Sequence, residues 1–103
     1  MTFAHVGSLE TQPGKRDAVV EILTRLNLDL VDAGCLLYEV GVKQDEPHTV
    51  HVMELWESLE AHQASLQLDS VKAAIDEASP LLTGQFDSHD FTIKDSPLRN
   101  LPR

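Results

Sequence analysis

Residues 34–58 read GCLLYEVGVKQDEPHTVHVMELWES, and this stretch decides the fold. Two apolar runs, Cys35–Lys43 and Thr49–Trp56, flank the polar turn Gln44-Asp45-Glu46-Pro47-His48, which predicts a pair of strands. Gly34 suits the end of a helix before the pair, and Ser58 suits the cap of a helix after it. Strand side chains alternate between faces. Glu54 and Trp56 therefore share one face of the second strand, and His51, Met53 and Leu55 share the other. Both faces carry large or ionisable groups. One is expected to meet helices, and the other a partner sheet or a ligand.

Upstream, Thr2–Glu10 reads as a first strand with Phe3, His5, Gly7 and Leu9 on one face. Pro13 fits a first helical turn, and Val19, Ile22, Leu23, Leu26 and Leu30 recur at helical spacing, which predicts one helix running to Gly34. Downstream, a short helix is expected over Leu59–Leu66. A second follows, capped by Asp69 or Ser70, with Val71, Ala74, Ile75 and Ala78 on its apolar side. Pro80 and Gly84 mark its exit, and Phe86–Lys94 alternates as a last strand. Residues 95–103 hold two prolines and little periodicity, so residues 1–94 form one domain and 95–103 a tail or arm. The order β-α-β-β-α-β is the ferredoxin-like α+β arrangement, an antiparallel sheet with helices on one face. Its strands are rich in Val, Leu and Phe on both faces, which predicts that a second copy covers the open one as a homodimer.

Composition removes several functions. Seventeen acidic residues against eight basic ones give a net charge of −9 over 103 residues, which argues against nucleic acid and anionic membranes as partners. The opening MTFAHVGSLE lacks a basic segment followed by an apolar run, so no secretory signal is expected. With the single cysteine, Cys35, this points to a reducing, cytoplasmic setting. A Gly-rich phosphate loop, an H-E-x-x-H pair and a cysteine pair are all missing, so neither a metal nor a cofactor is expected.

Five segments together, PGKRDAVVEIL, GCLLYEV, ELWES, LEAH and the closing LL-x-G, resemble the antibiotic-biosynthesis monooxygenase family over roughly residues 3–93. The resemblance implies a dimeric α+β barrel whose pocket lies between sheet and helices. It also implies oxidation of quinols, anthrones or related phenols by O2, often without metal or flavin. Many relatives carry a histidine nine residues after the tryptophan that ends the third strand; that position is Ser65 here, and His62 lies one helical turn earlier. The residues of the haem-degrading branch would fall near Gly7, Ser65 and Ile75, and none matches. Haem breakdown is therefore disfavoured.

Cofactor-free oxygenation needs a substrate that can itself reduce O2, a base to deprotonate it and a dry site to hold the anion. Histidine titrates near neutrality, and a helix over the sheet would aim His62 into the pocket, so His62 is the candidate base. Trp56 would supply a flat wall, Tyr38 a hydrogen bond to a phenolate, and Glu54 an orienting contact, with Ser65 and His5 as further lining. Glu39 and Glu54, on adjacent strands, could approach each other and raise one carboxyl's pKa. The bland alternatives are a core tryptophan, a structural histidine and a packed Cys35. Three readings stay open: a monooxygenase on a small planar phenol, quinol or anthrone; a noncatalytic ligand-binding dimer; and an isomerase- or decarboxylase-like use of the same barrel.

Overall fold

A computed structural model of the chain describes residues 1–99. β1 (Phe3–Thr11), β2 (Cys35–Gly41), β3 (Thr49–Trp56) and β4 (Leu82–Thr92) form one antiparallel sheet in the order β2-β3-β1-β4. The helices α1 (Arg16–Leu23), α2 (Asp29–Asp32), α3 (Leu59–Ser65) and α4 (Asp69–Ala78) lie in the connections, followed by a 3-10 turn at Ser79–Leu81. This is the ferredoxin-like α+β fold, with the central strands β1 and β3 contributed from opposite halves of the chain.

Alternation on β3 sorts the layers. Val50, Val52, Glu54 and Trp56 point to the helix side, and all four are buried. Val19 and Ile22 of α1 are buried as well, at 0% and 5% exposure, and supply the apolar stripe above the sheet. Burying each such side chain is worth about 1.5–3 kcal/mol, as an upper estimate. Ser58 caps α3 as expected, its hydroxyl accepting from the Ala61 amide at 3.0 Å. Arg16 ties the β2–β3 turn to α1 by donating to the carbonyls of Lys43 and Glu46, at 3.1 and 3.0 Å.

Three local features differ from the sequence reading. The helix expected to reach Gly34 breaks at Thr24–Leu28. Thr24 Oγ1 donates back to the Val20 carbonyl at 2.7 Å, and Asn27 Oδ1 accepts from the Asp29 amide at 3.1 Å. Both side chains compete with helical hydrogen bonding at that point. Gly34 still makes the exit into β2 with φ of 100°, a conformation that favours glycine. Ser70 does not cap α4: it binds Asn27 and Asp29, and Leu68 holds the cap position without a side-chain bond. Strand β4 starts at Leu82, four residues earlier than expected: the ladder takes two extra residues of β4 between the Leu9–Phe86 and Thr11–Leu82 pairs, so pairing continues past the irregularity.

Among the described residues no helix is long and apolar enough to cross a membrane. Leu98 of the expected tail is 83% exposed, and Leu101 lies outside the described residues. Gly7 sits mid-strand where a Cβ would stand 2.6 Å from the Asp87 carbonyl oxygen of β4. That neighbour is backbone and cannot swing aside. Gly7→Ala should therefore lower unfolding stability by about 1–3 kcal/mol, read as a lower urea midpoint at unchanged slope.

Candidate functional site

A cavity of about 500 Å³ lies between the sheet and the helices, within the range of small-molecule sites. Its floor is His5, Tyr38, Glu54 and Trp56; its wall includes His62 and Ser65; Ile22, Leu26, Leu30, Leu66, Val71 and Ile75 make most of its apolar lining. Leu26, in the break after α1, and Leu30, in α2, both border this space. Arg25, in the break after α1, and Glu77 of α4 are joined at 2.7 Å at its edge. A second depression of about 360 Å³ involves Ser8, Glu10, Thr49 and residues 84–87. It offers carboxylates but no imidazole, so it lacks the proton-handling groups of the first.

All six residues singled out from the sequence line the larger cavity. His62 is held among rings: the His5 ring is stacked at 4.8 Å, Trp56 meets it edge-on at 5.5 Å, and Phe3 is tilted at 5.6 Å. Burial, and secondly His5, hold the His62 imidazole below its ordinary pKa, while Asp90 pulls weakly the other way. His62 is thus neutral near pH 7. Ser65 is 2% exposed, and its hydroxyl donates to the His62 carbonyl at 2.6 Å, so it shapes the wall and steadies the helix turn that carries His62.

Glu54 is the buried acid of the floor. Trp56 Nε1 donates to Glu54 Oε1 at 2.9 Å. Two longer approaches, 3.8 Å from Oε2 to His5 Nε2 and 3.9 Å from Oε1 to His62 Nε2, are beyond hydrogen bonding. Burial pushes the Glu54 carboxyl above the usual carboxylate range; the Trp56 bond and His5 oppose this, and Asp90 adds to it. Burial, with smaller contributions from Glu54 and Cys35, raises the Tyr38 phenol further. The Cys35 thiol is also raised by burial, which disfavours a thiolate nucleophile.

Two placements were not readable from spacing. β2 pairs Cys35 with Trp56 but Leu37 with Leu55, so an irregularity at Leu36 shifts the strand by one residue. Glu54 therefore faces Tyr38, while Glu39 pairs with Met53 on the open face. The expected Glu39–Glu54 approach does not occur. Asp90, not singled out from the sequence, pairs with His5, and its Oδ1 lies 2.6 Å from His5 Nδ1. A strand-pairing register would have found it, but one chain's sequence does not give one. His51 lies on the open face opposite Ser8 and contacts Glu46 at 2.6 Å.

His5, Glu54 and His62 also offer three ligand atoms within 4.8 Å of one another. As they stand they do not make a cation cradle. The two imidazoles are only 28° from parallel, which aims their in-plane lone pairs side by side and not at one point. The 3.8 and 3.9 Å separations also exceed the ~3.0–3.4 Å between neighbouring ligands of one small cation.

The antibiotic biosynthesis monooxygenase family profile matches residues 2–77. The chain belongs to this family. A proposed antibiotic biosynthesis monooxygenase from Chloroflexus aurantiacus J-10-fl is 30% identical, with 93% of this chain and 96% of that one covered at a TM-score of 0.74. One from Caulobacter crescentus CB15 is 24% identical over 91% of both chains, with a TM-score of 0.75. A protein from Mycobacterium tuberculosis shares the fold at 16% identity, covering 94% of this chain and 99% of that one with a TM-score of 0.78. No protein with a curated function matches the chain.

The pKa shifts have opposite consequences for stability. Glu54, raised in the fold, binds a proton that the unfolded chain has lost above about pH 4.5, so its contribution weakens stability as pH rises from there to its folded pKa. His62, lowered in the fold, costs stability as pH falls below 6.5 toward its folded value. Urea unfolding of Glu54→Gln against the parent chain should show a difference that moves in the variant's favour as pH rises above about 4.5. A difference independent of pH would mean that Glu54 is not raised.

Proposed function

We propose that this chain is a cofactor-independent monooxygenase that oxidises a small planar phenol, quinol or anthrone with O2. The observation that carries the reading is His62: a neutral imidazole, enclosed by Phe3, Trp56 and His5, on the wall of a mostly apolar cavity. Family membership supports the oxygenase class, and the site residues suggest how the protein serves it.

An anthrone illustrates the sequence of events. His62 Nε2 takes a proton from the ring methylene, leaving a carbanion delocalised onto the carbonyl oxygen. The carbanion passes one electron to O2, and the two radicals combine through a new C–O bond. Proton return gives a hydroperoxide, and loss of water leaves a second carbonyl. In sum CH2 and O2 become C=O and H2O, with both oxygen-reducing electron pairs drawn from the substrate. The protein's part is to orient the ring against Trp56, exclude water and move the proton.

Oxygen consumption should rise above the uncatalysed rate when purified, metal-stripped protein meets a panel of anthrones and hydroquinones. His62→Ala should cut kcat/KM by about 10²–10⁴-fold. The acid limb of the kcat/KM profile should fall below pH 6.5, because His62 must be neutral to act. Activity untouched in the variant would move the base elsewhere, and no uptake across the panel would sink the oxygenase reading.

We propose further that two chains pair through the open sheet face. That face carries Leu37, Met53 and Phe91 at 37%, 49% and 51% exposure, with Leu55 and Val6 between them. A contiguous apolar strip of this kind is unusual on a lone subunit. Sedimentation should give twice the chain mass, and Met53→Glu with Phe91→Asp should return it to one. A monomeric parent protein would refute the pairing.

A further inference from the structure

Tyr38, Glu54, His5 and Asp90 are successive cross-strand partners, one from each strand, and form a single row across the helix side of the sheet. The His5 Nδ1–H donates to the Asp90 carboxylate at 2.6 Å, and in that tautomer the ring's lone pair lies on Nε2. At the next position the Trp56 N–H donates to Glu54 Oε1. An acid that accepts through Oε1 carries its own proton on Oε2. Glu54 Oε2 has no hydrogen-bond partner among the described residues, and neither has the Tyr38 hydroxyl. His5 Nε2 and Glu54 Oε2 are 3.8 Å apart. That is too long for a bond between them, yet one oxygen atom can lie about 2.8 Å from both.

We propose that this gap is an oxyanion site: a substrate hydroxyl enters it, His5 Nε2 takes the hydroxyl proton, and Glu54 donates from Oε2, as a neutral carboxylic acid, to the oxygen left behind. Tyr38, beside Glu54 on β2, is the second donor. The O–H bond of the substrate breaks, an N–H bond forms on His5, the imidazolium charge rests against Asp90, and no electron moves. The two stacked histidines then divide the work: His5 serves the O–H, and His62 the C–H.

Glu54 is suited to the neutral role. It is 7% exposed, and its charged contacts among the described residues are to the imidazoles of His5 and His62, with no lysine or arginine among them. The groups that face it are His5, His62, Tyr38, Cys35 and, through His5, Asp90. Burial raises its carboxyl, and an unpaired buried carboxylate is costly enough that the group takes up a proton instead. A neutral buried acid that donates to a developing oxyanion is an established catalytic device. The ligand class is a planar aromatic with an acidic hydroxyl, bound as its anion. The inference rests on the cavity being the substrate site, but not on any reaction with oxygen.

The probe is 2-naphthol, titrated into the full chain without oxygen at pH 7, with absorbance reporting whether the bound form is naphthol or naphtholate. The parent chain should bind naphtholate. Glu54→Gln keeps an N–H donor and an acceptor for Trp56, and should bind within about threefold of the parent. Glu54→Ala should bind about tenfold or more weakly, the loss expected for one hydrogen bond to a charged oxygen. Asp90→Asn should lower the ionised fraction. An ionised Glu54 would repel the anion, so tighter binding by both Gln and Ala variants overturns the proposal. So does binding of neutral naphthol alone, or no binding at all. Should Glu54→Ala fail to fold, infrared difference spectra decide: the parent must show a carboxylic-acid carbonyl stretch at pH 7 that Glu54→Gln removes, and its absence from the parent refutes the neutral acid. Bound naphtholate without oxygen uptake would leave this site standing and sink the monooxygenase reading; uptake with only neutral naphthol bound would do the reverse.

Discussion

The structure turns on one costly placement, an acid on the covered face of a four-stranded sheet. Glu54 lies between Val52 and Trp56 along the buried side of β3, a line that an ordinary core would fill with valine or leucine. Among the described residues its only short side-chain hydrogen bond comes from Trp56. Everything around it adjusts to that choice. The helices stand off far enough to leave a cavity, the flanking strands present Tyr38 and His5 at the same level, and Asp90 secures His5 from the sheet edge. An apolar residue at position 54 would close the floor and pack better. The cluster is the place where the fold gives up apolar packing for ionisable groups.

The surrounding apolar shell explains why these groups titrate as they do. His62 touches three rings and keeps only a small exposed edge, so the charged imidazolium loses hydration without gaining a partner. Glu54 suffers the same loss with opposite sign of charge. The outcome is an imidazole and a carboxyl some 4 Å apart, each shifted toward its uncharged form, in a chain whose formal net charge is −9. That charge disfavours entry of anions. A substrate that arrives as a neutral phenol and ionises only inside avoids the barrier, and the proton is handed to a side chain within the protein.

Much of this fold was legible in the chain because its signals are local. Gly34, the polar turn at 44–48 and Ser58 bracket two alternating runs, and the 3.6-residue spacing of Val19 and Ile22 marks the covering helix. The side on which Glu54 and Trp56 lie follows from parity alone. What stayed hidden depends on register between distant strands. The irregularity at Leu36 decides that Tyr38, and not Leu37, stands opposite Glu54 and sends Glu39 to the open face, and nothing in the run CLLYEV announces it. Asp90 meets His5 across 85 residues of sequence, a contact set by the β1–β4 pairing. The break at Thr24–Leu28 was masked by leucines that continue the helical spacing; Leu26 is 87% exposed, so its apolar character had nothing to do with a core stripe.

Local rules fail together at this site, and that coincidence is itself informative. A buried carboxyl with one hydrogen bond, a phenol hydroxyl with none among the described residues and a caged imidazole each weaken the fold singly. Scattered through a core, they would read as tolerated defects. Here all three border one cavity, and the strand irregularity that brings Tyr38 to it replaces a strictly regular β2. Structural ion pairs account for other charged contacts, such as Arg25 with Glu77, where opposite charges meet in solvent and stabilise little. In the Glu54 row His5 meets Asp90 at 2.6 Å, but Glu54 itself has no cation within hydrogen-bond distance among the described residues. The row's unused donors converge on space large enough for a small ring system, so the part of the energy that folding does not recover is available to bind what enters.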